Sequence, residues 1–374
     1  MKAAFFHDHI FLKYKGRYYS KGKLTYRQLS YYLEYCQELI VVSRYQEVYE
    51  APPPEFLSLG KNVSIKGYPG VLTRNFMVNR KNYLNEIANT LLDVDVVFSR
   101  MPSEFGILAT NMAKKLNINC IVEMVASPFD CLWYRGDIFA KLYAPFLHYR
   151  VKKALKNAES VIYVTNSYLQ QVYPTRGRCI AVSDARVCIQ SEGKELDKNK
   201  LMRIGIIANP SLKLKGVESL YHAMSLLPKN KYVLSIVGGT NVSEIESIMA
   251  EDDNVELKGI IADKEELNKW LSTIDLYIQP SFTEGLPRSI VEAMSFSIPV
   301  LGSKVGGIPE LVHSNYLFKA GNSKDIASKI LSVSEDKIEY LKLSEHSKKM
   351  AERFNSNLDD RKREFIINAI SAHS

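Results

Sequence analysis

The strongest constraint on this chain is an alternation that runs through it twice. In the first half, short β-branched or aromatic runs stand at "KAAFF" (2–6), "LIVVSR" (39–44), "VDVVFSR" (94–100), "NCIVEMV" (119–125) and "SVIYVT" (160–165). Segments of helical spacing separate several of them, such as "YRQLSYYLEYCQ" (26–37), "LNEIANTLL" (84–92) and "EFGILATNMAKKLN" (104–117). Strands and helices taken in turn predict a parallel sheet covered by helices on both faces. The polar stretch "CIQSEGKELDKNK" (188–200) interrupts the pattern and reads as a linker. The alternation then restarts with "LMRIGIIA", "YVLSIVGG", "VELKGII", "DLYIQPS" and "IPVLGSK". At 374 residues the chain is too long for one ordinary core. The expected architecture is therefore α/β, with two doubly wound Rossmann-like domains (residues 1–195 and 196–374) facing a central cleft. The last helix is free to pack back on the first domain. Ligands of such sheets bind at the C-terminal ends of the strands, so the cleft is the expected site.

Composition excludes several classes. No apolar run approaches the roughly 20 residues of a membrane span. The opening "MKAAFFHDHIFLKYKG" has neither an extended apolar region nor a small-residue cleavage site, unlike a secretory signal. Five cysteines, at 36, 120, 131, 179 and 188, form no CxxC pair, which suits a reduced, cytoplasmic chain. The formal charge of +8 allows nucleic acid, an anionic membrane surface or a phosphate-bearing ligand. No RNP, zinc-finger or helix-turn-helix signature is present, so nucleic acid is not expected.

The second half concentrates the chemistry. "PSFTEGLPRSIVEAM" (280–294) sets Glu284 in a strand-to-helix turn and Glu292 on the helix that follows, with Pro287 suited to the first helical turn. "IGIIANPSLKLKGVESL" places Lys213 and Lys215 before Gly216, which opens a helix; ammonium, backbone N–H groups and helix dipole together favour an anion. "SIVGGT" puts Gly238 and Gly239 at a strand end, where a ligand approaches the backbone closely. "KVGGIPELV" holds Gly306, Gly307 and Pro309 in a tight connection ahead of Glu310.

In this order and spacing, "KG", "VGG", "LKGII", "DLYIQPSFTEGLPRSIVEAM" and "VGGIPELV" resemble the family-4 retaining glycosyltransferases of the GT-B fold, over roughly residues 201 to 330. Glu284 and Glu292 then form that family's E-x7-E element. The first half matches more loosely, through its strand pattern, "SRMPS" and "VIYVTNS". The resemblance implies transfer of a sugar from a nucleotide-sugar to a hydroxyl with retention, with no cofactor and no metal. It implies that Glu292 holds the ribose hydroxyls. Glu284, with the backbone of Gly285 and Leu286, grips the donor sugar, and Lys215 neutralises the diphosphate. Pro287, Lys213, Gly216, Gly238, Gly239 and Ile260 complete the implied donor set. A carboxylate accepts two hydroxyl hydrogen bonds well, and turn amides near the leaving diphosphate would meet its growing charge. Alternative readings stay open at this level. Glu292 also lies i, i+4 from Arg288, the spacing of a surface pair. Where the family usually has an arginine several residues before the lysine, this chain has "ANPSL", so that Lys213 either substitutes for it or is a solvated lysine.

On the acceptor side the family's usual histidine is missing after "CIVEMVASPFD". Glu123 and Asp130 are the nearest polar groups, and Asp130 is a candidate base or acceptor ligand. His7, Asp8 and His9, expected to follow the first strand, are candidates for lining the cleft. "DVD" (93–95) opens a strand instead of ending one, so it is not expected to hold a metal. The expected acceptor is a saccharide or lipid-linked saccharide of surface-polysaccharide assembly, met at the inner face of an anionic membrane. The contact would be "RGDIFAKLYAPFLHYRVKKALK" (135–156), where Phe139, Leu142, Tyr143, Phe146, Leu147, Val151 and Leu155 form one stripe and Lys141, His148, Lys152 and Lys156 another. The alternatives are another GT-B enzyme (an epimerase or sugar phosphorylase) or a non-catalytic sugar-nucleotide-binding protein. A dehydrogenase is disfavoured because no G-x-G-x-x-G follows the first strand of either half.

Overall fold

The computed structural model describes residues 1–21, 24–191, 193–197, 199–239, 243–354 and 357–372. The first half builds strands β1 (Lys2–Tyr14), β2 (Arg17–Tyr19), β3 (Glu38–Glu47), β4 (Val63–Tyr68), β5 (Val96–Met101), β6 (Asn119–Met124), β7 (Ser160–Tyr163) and β8 (Arg178–Ala181). They form one sheet in the order β4-β3-β1-β5-β6-β7-β8, parallel throughout, with β2 added antiparallel to β1. The second half supplies β9 (Met202–Ile207), β10 (Tyr232–Val237), β11 (Val255–Leu257), β12 (Leu276–Gln279), β13 (Val300–Ser303) and β14 (Leu317–Phe318). These make a six-stranded parallel sheet, β11-β10-β9-β12-β13-β14. In both sheets the order reverses beside the first strand of the half, which opens a crevice at the strands' C-terminal ends.

Successive side chains of a strand point to opposite faces, and the apolar runs use both. Phe5, Phe98 and Ile121 join one buried cluster, together with Ile366 and Ala369 of the last helix (Asn357–Ser371). Phe6 and Val97 join another, beside Phe105. That last helix lies on the first sheet: Asn119 Nδ2 donates to the Ala369 carbonyl at 2.9 Å. A third cluster runs without a break from Val122, Met124 and Tyr163 into the core of the second half.

Three details differ from the sequence-based expectation. Strands β4 and β8 lie outside the apolar runs singled out above. "YRQLSYYLEYCQ" is not one helix but a single α-turn (Tyr26–Leu29) followed by a 3₁₀ turn (Ser30–Glu34). Its tyrosines spread around the axis, and Tyr32 and Tyr35 bury themselves against Phe98. Finally, β1 does not stop before His7. It runs on to Tyr14 and returns as β2, with its register against β3 shifting between Phe6 and Ile10. His7, Asp8 and His9 therefore stand opposite Ser43 alone, in a β-bulge within the strand, and Ser43 Oγ donates to the carbonyls of both His7 and His9 at 2.6 Å.

Candidate active site

Glu284 and Lys215 meet. Lys215 belongs to the 3₁₀ turn Lys213–Lys215 after β9, and Glu284 to the turn after β12. Lys215 Nζ lies 2.8 Å from Glu284 Oε1. The same oxygen accepts from Ser281 Oγ (2.8 Å) and Gln279 Nε2 (3.1 Å). Gln279 is itself held, because Tyr277 Oη and Ser289 Oγ both donate to its Oε1 at 3.1 Å. The Glu284 side chain is 12 % exposed, so a network of five neighbours fixes a nearly desolvated carboxylate. Gln279 and Ser281 were missed in the sequence. Their signal was a glutamine closing the otherwise apolar strand "LYIQ", where a buried polar group needs partners.

Glycines shape the floor. Gly216 has φ +66°, and a Cβ there would sit 2.1 Å from the Pro280 carbonyl oxygen. Gly285 packs against the first half, where a Cβ would stand 2.1 Å from the Val125 carbonyl oxygen. Leu286 and Pro287 are buried, and the helix starts at Arg288, one residue after Pro287, within the usual uncertainty of helix ends. Glu292 thus lies just over one turn into it. Its partner is Lys264 Nζ at 3.5 Å, so the surface pair with Arg288 does not form. At the neighbouring strand ends Gly238 N donates to the Gly259 carbonyl at 2.6 Å, which brings Gly238 and Gly239 beside the loop of Ile260. Ile260 is exposed, and Lys213 stands exposed at the rim, near Gly136 of the first half.

The helix that carries Asp130 (Pro128–Trp133) comes from the first half and leads to Tyr134, which packs on the donor turn. Asp130 accepts from Tyr168 Oη at 2.8 Å. Its neighbour Cys131 has a thiol pushed up to about 11, chiefly by burial and then by Asp130 and Glu284, with Lys215 opposing. Tyr134, after the same helix, stacks on Phe282 at 5.3 Å between ring centroids.

The other first-half candidates do not join the pair. Glu123 corrects the expectation of a cleft-lining acid. Its side chain is 3 % exposed and points to the face covered by the last helix, where it meets Arg100 Nη1 (3.0 Å), Lys362 Nζ (3.2 Å) and Tyr32 Oη (2.7 Å). Asp8 caps the helix Glu104–Leu116, accepting from Glu104 N (2.7 Å) and Phe105 N (3.0 Å), and burial pushes its carboxyl up. His9 Nε2 is 2.8 Å from Ser20 Oγ, and His7 Nδ1 accepts from His9 N at 3.1 Å. In "DVD", Asp93 pairs with Lys2 at 3.5 Å, and Asp95 accepts from Lys2 N at 2.7 Å, at the N-terminal end of β5.

This geometry can be set beside known proteins. The family model for glycosyl transferases group 1 matches residues 190–350. Protein CapJ of Staphylococcus aureus is 33 % identical over 327 residues, covering 85 % of this chain and 83 % of the relative. The N,N'-diacetylbacillosaminyl-diphospho-undecaprenol alpha-1,3-N-acetylgalactosaminyltransferase of Campylobacter jejuni is 25 % identical over 319 residues, covering 78 % and 79 %. Sucrose-phosphate synthase of Thermosynechococcus elongatus superposes over the whole of both chains with a TM-score of 0.69 at 15 % identity. Anabaena HepE in complex with UDP-glucose does so with a TM-score of 0.65 at 16 %. With two doubly wound sheets meeting at a cleft and the group-1 sequence elements gathered there, this chain belongs to the group-1 glycosyl transferases of the GT-B fold.

Proposed function

We propose that the protein transfers a sugar from a nucleotide-sugar to a hydroxyl of a lipid-linked saccharide, with retention at the anomeric carbon. The observation that carries this reading is the half-buried Glu284–Lys215 pair at 2.8 Å, with Glu292 on the adjoining helix and the Asp130 helix leading to Tyr134, which stacks on Phe282 of the donor turn. Lys215 would meet the diphosphate, Glu284 and its turn the donor sugar, and Glu292 the ribose, whose diol suits a carboxylate. The names of relatives support the pathway: HepE was solved with UDP-glucose, and the Campylobacter enzyme's name specifies a diphospho-undecaprenol acceptor. The experiment is a thermal-shift panel of UDP-, GDP- and ADP-sugars. One nucleotide class at 100 times its Kd adds about 2.7 kcal/mol of stability; no response to any of them overturns the reading.

Neutralisation of the diphosphate by Lys215 and backbone amides needs no cation. Among the described residues no group of three or more His, Cys, Asp or Glu is placed to hold a metal ion. Transfer therefore survives EDTA; loss of activity restored by Mn²⁺ or Mg²⁺ refutes this.

The acceptor would be met at a membrane surface, and the long helix Ile138–Lys156 carries the contact. It continues through Pro145, and the expected single stripe divides. Leu147, Val151 and Leu155 are buried, whereas Phe139, Leu142 and Phe146 are exposed, beside Trp133 and Ile138. Lys141, Lys152, Lys153 and Lys156 are exposed, but His148 turns inward to Tyr173 Oη (2.9 Å) and Arg150 to Glu104 (2.7 Å). Among the described residues no helix is long and apolar enough to cross a membrane. Exposed aromatic and aliphatic groups flanked by cations suit an interface, each cation contributing about 1 kcal/mol near anionic lipid. In liposome sedimentation, binding requires anionic lipid and falls with salt. It drops when Lys152, Lys153 and Lys156 become glutamine, and again when Phe139, Leu142 and Phe146 become serine. A wild type that stays in the supernatant under every condition points to a freely soluble acceptor.

A further inference from the structure

Glu310 has no part in the donor set, yet its carboxylate makes more contacts across the cleft than any residue named so far. It ends the turn Ile308–Glu310, directly after Gly306 and Gly307. Those glycines seat the turn on the donor loop. Gly307 N donates to the Gly285 carbonyl at 2.8 Å, and a Cβ on Gly306 would lie 2.0 Å from the Glu284 carbonyl oxygen. From there Glu310 reaches the first half. Its Oε2 accepts from Asn166 N at 2.5 Å, and its Oε1 from Ser167 N (3.0 Å), Ser167 Oγ (3.1 Å) and Tyr168 N (2.9 Å).

These donors are the start of the helix Tyr168–Val172, whose N-cap residue Ser167 makes no side-chain cap of its own. Thr165 Oγ1 accepts from Leu169 N at 3.0 Å, but the N–H groups of Asn166, Ser167 and Tyr168 need an acceptor as well, and theirs arrives from a residue more than 140 positions away in the other half. The first residue of that helix is Tyr168, whose hydroxyl donates to Asp130 Oδ2 at 2.8 Å. A continuous line of contacts therefore joins the Glu284 turn to Asp130: donor loop, glycine turn, Glu310, helix start, Tyr168, Asp130.

We infer that Glu310 is a positioning residue, an interdomain latch that completes the cap of this helix in the closed molecule and thereby holds Tyr168 and Asp130 in place beside the donor turn. Opening the cleft withdraws the carboxylate and leaves the three backbone N–H groups to water; closing it restores them. The latch uses protein contacts alone, so it biases closure before any acceptor binds. Its catalytic consequence rests on the donor-site reading above, but its structural consequence does not.

Cys131 makes a reporter, since it is half-buried beside Asp130 and within reach of the Glu284 and Lys215 charges. The full chain is treated with N-ethylmaleimide, and each cysteine is followed by peptide mass spectrometry. Exposed Cys179 is the reference and buried Cys36 reports unfolding. In E310A the Cys131 rate rises severalfold relative to Cys179 while Cys36 stays protected; E310Q, which keeps one acceptor oxygen, falls between. In turnover, E310A loses about tenfold or more in kcat with little change in donor KM, as misplacement of a catalytic group predicts. A Cys131 rate that is unchanged, or that rises only in step with Cys36, overturns the latch. Should Cys131 respond while E284A keeps wild-type kinetics, the latch stands and the donor-site reading falls.

Discussion

Glu284→Ala lowers kcat by about 10²–10³-fold, the size seen when one group that stabilises transition-state charge is removed, and leaves donor affinity nearly unchanged. Glu284 is held by Lys215, Ser281 and Gln279 before any substrate arrives. Its geometry is paid for in folding, and its contacts with the reacting sugar are those that change during transfer. Loss of the carboxylate also frees the Lys215 ammonium, which keeps its attraction for the diphosphate. Glu292→Gln behaves in the opposite way. Its hydrogen bonds to a ribose are the same in ground and transition states, so KM for the donor rises about 10–100-fold, the worth of one charged hydrogen bond, and kcat holds. Little stability is lost, because the Lys264 pair is solvent-exposed at 3.5 Å and such pairs contribute little. Steady-state kinetics with titrated donor separate the two. Wild-type constants in both variants remove Glu284 and Glu292 from the site.

Lys362→Met lowers stability by about 3–5 kcal/mol, the cost of stranding buried charge when one partner goes. Lys362 is 7 % exposed and stands 3.2 Å from Glu123 Oε1 and 3.3 Å from Asp184 Oδ1, while Arg100 bridges the same two acids at 3.0 and 2.7 Å. Scanning calorimetry should register a fall of roughly 10 °C in the transition of the first half. A shift under about 2 °C would mean the cluster contributes nothing net. The pH dependence has a definite sign. Burial pushes Asp184 up, but Arg100 and then Lys362 outweigh it and hold the carboxyl well below the usual range; for Glu123, burial is likewise outweighed, by Lys362 and then Arg100. Folded values below the unfolded ones mean stability that is present above about pH 4 and lost as pH falls toward the folded values. Burial lowers Lys362 while Glu123 and Asp184 raise it further, so its share is present below its ordinary value and lost only at higher pH. The wild type therefore loses more stability on acidification than Lys362→Met does.

Much of the donor side was legible because it is local. Glu284 and Glu292 lie eight positions apart, and one turn and one helix determine where they stand. Gln279 and Ser281 in the same stretch were missed because only their buried hydrogen bonds to Glu284 reveal them. Lys215 was legible for a related reason: in a parallel sheet every strand ends at the same edge, so turns after β9 and β12 must be neighbours. The acceptor side was less legible. Asp130 was named from an apolar setting, but its partner Tyr168 comes from a different helix. Glu123 was placed in the cleft because it lies near a strand end, and strand parity alone does not tell which face a distant helix will cover. His7 to His9 were placed beyond the first strand because their polarity reads as a loop, whereas the hairpin with β2 keeps them within it.

By itself the sequence determined the two alternating halves, the strand-end position of the glycines and the spacing of the two acids, since each depends on residues a few positions apart. Only the tertiary structure decided that Lys362 enters the Glu123–Arg100–Asp184 cluster, that Glu310 caps a helix in the other half, and that Phe139, Leu142 and Phe146 stay outside. Those outcomes depend on which faces the sheet order and the returning last helix bring together, and buried charges and orphan N–H groups take the partner that packing delivers, however distant in the chain.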